Sequence, residues 1–245
     1  NLKELIRISK QNNIAAIVVE PSRFKYLDKK FVNYLNKVCK KKKIILIIDE
    51  ITSGWRECLG GVYKKIGLHP DIVVYGKALG NGFAISALVG KKTVMDTAQD
   101  TFVSSVAWTE KVGFAAGLAV LQFHKKHKVF KANKMIGKRI KDGWIKLAKK
   151  HSLKIDVNTL DCVLNFNFQY KNKNEYLNTL FTELMLKHKF LATNLVYISY
   201  FHKKEIIDKY LSAVDKTFFQ ISKSIKNNKK ILKSKVRSYN YKRVK

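Results

Sequence analysis

Three short stretches of this 245-residue sequence carry side chains able to do chemistry. In "IILIIDEITSGWR" (44–56) five apolar residues run straight into Asp49 and Glu50. A carboxylate at the end of a buried strand is costly to desolvate unless it is paired, so it is either a structural cap or the counter-ion of some cation. In "YGKALGNG" (75–82) Lys77 follows Gly76 and precedes two more glycines. A buried lysine amine must be paired, deprotonated or covalently used, and such an amine can attack a carbonyl or carry a proton. A lysine at a strand end is also an ordinary surface residue. The third stretch, "SSVAWTEKVG" (104–113), puts hydroxyls ahead of a helical pattern, which is how hydroxyls and backbone amides meet a phosphate and also how helices are commonly capped.

The elements that must position these residues alternate along the chain. Residues 2–12 read as the end of a helix, "IAAIVVE" (14–20) as a buried strand, and residues 28–43 as an amphipathic helix with Phe31, Leu35 and Val38 on one face. Strands "IILIID" and "DIVVYG" (71–76) follow, with a glycine-rich turn region (54–61) between them and the apolar segment "AISALVG" (84–90) after. Continuous apolar strands separated by helices predict a mainly parallel sheet covered on both faces. Such sheets bind ligands at the carboxyl ends of their strands, where Asp49, Glu50, Gly76 and Lys77 fall. From 109 to 150 the pattern is helical, with Ala115, Ala116, Leu118, Ala119 and Phe123 predicting a small-residue packing face. Beyond it "VLNFNFQY" (163–170) alternates like a half-exposed antiparallel strand, followed by helix 174–189, the segment "VYISY" and helix 203–222. The domains expected are residues 1–125, a smaller α+β domain over 126–222, and a basic tail over 223–245, expected to be partly disordered or a fraying helix.

The formal net charge is +31. Nine of the excess positive charges lie in residues 1–100, twelve in 101–220 and ten in the last 25 residues, which contain no acid. A nucleic-acid surface concentrates its charge. This spread, in a chain rich in Lys, Asn and Ile, argues against specific nucleic-acid binding. No apolar run approaches the ~20 residues that span a bilayer. Cys39, Cys58 and Cys162 are odd in number and in no metal-ligand spacing, so reduced thiols in a cytoplasm are expected and no metal site is. His124 and His127 could share a metal only with ligands that the neighbouring sequence lacks. Trp55, Trp108 and Trp144 are expected in the core or at an interface, with Trp55, next to the Asp49 loop, alternatively facing a pocket; Arg23 and Arg56 are expected in surface ion pairs or, alternatively, on a substrate carboxylate.

Taken together the three stretches resemble the class III pyridoxal-phosphate aminotransferases, in particular the glutamate-1-semialdehyde aminomutase-like branch. The resemblance rests on Asp49-Glu50-Ile51-Thr52-Ser53-Gly54-Trp55-Arg56 and on Gly76-Lys77-Ala78-Leu79-Gly80-Asn81-Gly82. "HPDIVVYGKALG", "FAISALVG" and the segment from "LFTELMLKHKF" to "YLSAVDKTF" extend it over roughly residues 10–220. It implies the fold type I architecture of PLP-dependent transferases, an α/β large domain with a smaller α+β carboxyl-terminal domain. It implies pyridoxal 5'-phosphate as cofactor, a small-molecule amino donor and carbonyl acceptor as substrates, and a homodimer.

The resemblance also implies roles. Asp49 would pair with the protonated pyridine nitrogen, Lys77 would hold the cofactor as a Schiff base and then move the proton from the substrate, and Glu50 and Gly76 would support them. The phosphate contact departs from the family pattern. An ungapped match puts Val106 where relatives carry a threonine, so Ser105 and Thr109 are expected to take its place. A chain that opens on Asn1, without the upstream Gly-Ser/Thr loop and stacking aromatic of relatives, is expected to be a carboxyl-terminal fragment that binds the cofactor weakly by itself. Transamination is the reading preferred. An aminomutase uses the same Asp49 and Lys77, and a non-catalytic remnant or basic binding module is the third possibility.

Overall fold

The structure, a computed structural model, describes residues 1–11, 13–104, 106 and 109–237. The chain forms two compact units, Asn1–Ala132 and Asn133–Lys245. No helix of the described residues is long and apolar enough to cross a membrane.

The first unit opens with helix α1 (Leu2–Ser9), strand β1 (Ala16–Val19), helix α2 (Lys29–Lys42) and strand β2 (Ile45–Asp49). Helix α2 starts where Asp28 caps the Lys30 amide at 2.8 Å and stops at Lys43, whose left-handed backbone (φ 55°) lets its N–H return to Cys39. Its buried residues Val32, Leu35, Val38 and Cys39 pack with Leu46 and Ile48 of β2. After the short helix α3 (Val62–Ile66) come β3 (Ile72–Tyr75), a 3₁₀ turn over Lys77–Leu79, β4 (Ala87–Gly90) and a short helix α4 (Lys92–Met95). The sheet order is β1-β2-β3-β4; the first three strands are parallel and β4 runs antiparallel to β3. This is the mainly parallel sheet expected, but its cover is uneven: Leu46, Ile48, Val73 and Tyr75 are buried, whereas Val18, Leu88 and Val89 are exposed.

Helix α5 (Lys111–His127) corrects the expectation for its packing face. The residues it buries are Gly113 and Gly117, while Ala115, Leu118, Ala119 and Phe123 are exposed. A Cβ at Gly113 would lie 2.7 Å from the Ala84 carbonyl oxygen, so the missing side chain is what lets the helix approach that segment. The continuous helical pattern is also broken in two, because Lys128 adopts a left-handed backbone (φ 49°) before α6 (Val129–Lys150).

The second unit packs α6, α7 (Asn174–Lys187) and α8 (Lys204–Lys226) with an antiparallel sheet of order β5 (Ile155–Val157), β6 (Val163–Phe168), β7 (Leu195–Tyr197). Phe166 sits at the centre, its ring edge-on to Trp144, Phe168, Phe181 and Phe218. Strand β6 is not half-exposed as its alternation predicts. Only Asn167 is exposed, and Asn165 is buried because its amide donates to the Asn194 carbonyl at 3.1 Å and its Oδ1 accepts from Asn167 at 2.8 Å.

Of the two readings of the carboxyl-terminal segment, a helix describes its start and a loose end does not describe residues 227–237. Residues 223–226 complete α8, and residues up to 237 return over α7. The Tyr176 hydroxyl accepts from the Ile231 and Leu232 amides, Glu183 Oε2 from those of Lys233 and Ser234, and Thr179 Oγ1 from that of Arg237. Ile231 and Leu232 pack on the core. Ending the chain after Asn227 is therefore expected to lower unfolding stability by about 2–4 kcal/mol, from two apolar side chains and several hydrogen bonds. An unchanged urea midpoint would show that the segment holds nothing.

Candidate active site

Strands β2 and β3 are parallel neighbours in the register Asp49↔Val74, so both chain segments leave the sheet at the same edge. That edge receives Asp49 as the last residue of β2 and Lys77 two residues beyond the end of β3. Asp49 is half-buried and bends the chain into a turn: its Oδ1 accepts from the Ile51 amide at 2.9 Å. Its other oxygen has no hydrogen-bond donor among the described residues.

Glu50 points elsewhere and is wholly buried. It accepts from the Ser53 hydroxyl, from the Tyr63 amide at 2.7 Å and from the Val62 amide, so it ties the turn to the start of α3. Burial pushes its carboxyl up from the ordinary 4.5, and the adjacent Asp49 charge adds to this, against the three donors. A carboxyl raised by folding contributes stability that is complete below its unfolded value and is lost as pH rises through the folded one. Glu50→Gln keeps an oxygen for the two amides and cannot ionise. Its urea midpoint is expected to gain on the native protein as pH rises above 4.5, whereas Glu50→Ala, leaving buried donors unpaired, is expected to cost about 2–4 kcal/mol. Parallel midpoint–pH curves for Glu50→Gln and native protein would refute the sign.

The turn is then closed from both sides. The Gly54 amide donates to the Glu50 carbonyl at 2.8 Å and the Trp55 amide to that of Gly60 at 2.8 Å. Gly54 lies so close to the Tyr75 ring that an added Cβ would stand 2.7 Å from it and 2.8 Å from the Glu50 carbonyl oxygen. Gly54→Ala is accordingly expected to cost about 1–3 kcal/mol by forcing the turn off β3; a native midpoint would contradict this. Trp55 has a left-handed backbone (φ 62°) and packs against Tyr75 at 5.8 Å between centroids, in a small core with Val73 and Leu79. Trp55 is half-buried there and Trp144 is fully buried, while Trp108 lies outside the described residues.

Lys77 is exposed and also left-handed (φ 40°), and its Nζ donates to Thr52 Oγ1 at 2.8 Å. That contact joins the two sequence motifs. Thr52 belongs to the first motif, but nothing in its spacing indicates that it faces a lysine 25 residues on. Gly76 is extended (φ −168°), and a Cβ there would meet Ile51 only at an ordinary 3.5 Å, so the backbone makes no demand for glycine.

The hydroxyl-rich segment is brought in less completely. Ser105 lies outside the described residues. Thr109 is exposed two residues before α5 and is not its N-cap: that is Glu110, whose side chain makes no cap hydrogen bond. Val106 is fully exposed. No cluster of metal-ligating side chains occurs among the described residues.

The sequence matches the family described as "Aminotransferase class-III" over residues 1–218. This chain belongs to the class-III aminotransferases. Among similar curated proteins, the 2'-deamino-2'-hydroxyneamine transaminase of Streptomyces kanamyceticus is 27% identical over 206 residues, covering 82% of this chain and 52% of its own length. The glutamate-1-semialdehyde 2,1-aminomutase of Nitrosopumilus maritimus is 28% identical over 250 residues, covering 93% and 58%. The chain thus spans about half the length of the curated relatives it matches. Of solved structures, the FumI protein of Sphingopyxis sp. MTA144 in its PLP internal aldimine form superposes with a TM-score of 0.86 at 21% identity, over 92% of this chain and 57% of that one. An omega-transaminase from Sphaerobacter thermophilus gives 0.82 at 17%, over 91% and 56%. The chain therefore has the fold of these two structures, the type I fold, over the part it spans.

Proposed function

We propose that the protein is a pyridoxal-phosphate-dependent transaminase that moves an amino group from a small-molecule donor to a carbonyl acceptor. The observation that carries this reading is the Lys77–Thr52 contact, which puts the lysine amine on the loop that begins at Asp49. The donor set fits the cofactor. Lys77 is held by a neutral hydroxyl rather than a carboxylate, and Asp49 keeps one oxygen open for a cation.

When bound, pyridoxal phosphate supplies an aldehyde for the amine and a cationic ring that withdraws electrons from the substrate carbon. Lys77 would attach it and, once displaced by the substrate amine, carry the proton taken from that carbon. Asp49 would hold the ring nitrogen protonated, and Glu50, through Ser53, Val62 and Tyr63, would hold the Asp49 turn in place. Thr109 and Ser105 would meet the phosphate, supported by the amides that open α5, which the Glu110 side chain does not cap.

A homodimer is part of this reading. Phe114 and Leu118, four residues apart on α5, leave an apolar strip exposed, the kind of surface a second subunit covers. Cys39 and Cys58, which form no disulfide, support a reducing, cytoplasmic setting, and burial pushes both thiols up to about 11, which favours their protonated form.

Transfer of nitrogen-15 from a labelled amino donor to a separate carbonyl compound, dependent on added pyridoxal phosphate, tests the proposal. The aminomutase reading is favoured by the relatives that bear that name. It predicts instead that the label stays within one carbon skeleton, and no movement of label in either sense would refute both.

A further inference from the structure

We infer that Thr52 is the positioning residue for the Lys77 amine. This rests on the reading of Lys77 as the cofactor-binding lysine and adds a residue to it. Three features carry the inference. The Lys77 Nζ donates to Thr52 Oγ1 at 2.8 Å, and no carboxylate forms an ion pair with it among the described residues. A hydroxyl both accepts and donates, so Thr52 can hold the side chain whether or not the amine carries its extra proton. A carboxylate partner would hold the ammonium form and oppose attack on a carbonyl. Thr52 is itself stiff: a β-branched side chain has few rotamers, and it stands on a turn closed by Gly54 N–H to Glu50 at 2.8 Å and anchored beneath by the buried Glu50. Lys77, in contrast, is exposed on a long flexible side chain, with a left-handed backbone. Without Thr52 it would sample solvent in many rotamers, and its alignment at the strand edge would be lost.

Two measurements on native protein, Thr52→Val and Thr52→Ser test this. Valine keeps the shape and removes the hydroxyl; serine keeps the hydroxyl. First, the side-chain nitrogen-15 NMR signal of Lys77, assigned with Lys77→Arg, reports exchange of its N–H protons with water. Exchange is expected to quicken about three- to tenfold in Thr52→Val, the range of one net hydrogen bond, and to return towards native in Thr52→Ser. Second, borohydride trapping of pyridoxal phosphate, read by peptide mass spectrometry as labelling of Lys77 against the other lysines, is expected to slow by a similar factor in Thr52→Val and recover in Thr52→Ser. Thr52→Val that exchanges and traps like native protein overturns the inference. Altered exchange with native trapping overturns it too, since the contact would then position nothing useful. Native protein that shows no preference for Lys77 refutes the cofactor reading, and with it the positioning role, while the exchange result still reports on the hydrogen bond itself.

Discussion

Lys77→Ala is expected to abolish amino transfer, lowering turnover by about 10⁴-fold or more. Proton transfer by a positioned side chain is worth about 10²–10⁴ by itself, and the same substitution removes the covalent attachment through which the reaction is divided into easier steps. The fold should not suffer, because Lys77 is exposed and its side-chain hydrogen bond among the described residues, to Thr52, is made at the surface. A native urea midpoint with lost activity is thus the expected pair of results. Lys77→Arg should be as inactive as alanine, since a guanidinium keeps the charge but stays protonated and cannot attack an aldehyde. Turnover of either variant above one-tenth of native would move the chemistry to another residue.

Asp49→Asn should lower turnover by about 10²–10³-fold, the scale seen when one preorganised electrostatic partner is removed from a site. The substitution isolates charge from structure. The asparagine oxygen can still accept from the Ile51 amide, as Asp49 Oδ1 does at 2.9 Å, so the turn should persist and stability should stay within about 0.5 kcal/mol. Only the negative charge offered to a ring nitrogen is lost. Asp49→Ala should be no more active and less stable, having lost the turn contact as well. Equal activity of Asp49→Asn and native protein would make Asp49 a structural cap, the alternative that the sequence leaves open.

The apolar runs of β1, β2 and β3 were legible because buried strands need continuous hydrophobic sequence, and the position of Asp49 and Lys77 at their ends followed from where those runs stop. What holds these residues was not legible. Glu50 finds its partners at 53, 62 and 63, and Lys77 finds Thr52, through turns whose closure depends on Gly54 lying against Tyr75. Hydrophobic period reports which residues are buried and says nothing about which side chains meet across a loop. Two misreadings have the same origin. The Asn165 position in β6 looked solvent-facing because it is polar, yet its amide is satisfied by Asn194 within the core. The face of α5 was assigned to its alanines and Leu118, whereas the closest packing is made by Gly113, where absence of a side chain is the useful property. The composition of the basic end reads as partly disordered or as a fraying helix; α8 does run into it, to Lys226, but the acceptors on α7 at Tyr176, Thr179 and Glu183 that hold residues 231–237 are not legible from composition.

The most direct measurement is reductive trapping of the natural-length protein with pyridoxal phosphate and borohydride, followed by peptide mass spectrometry. Nearly all of the reduced pyridoxyl label should lie on Lys77, at about one per chain, and should disappear from that peptide in Lys77→Arg. Label spread over the many surface lysines, or concentrated on a different one, would contradict the assignment of Lys77 and the active site built around it.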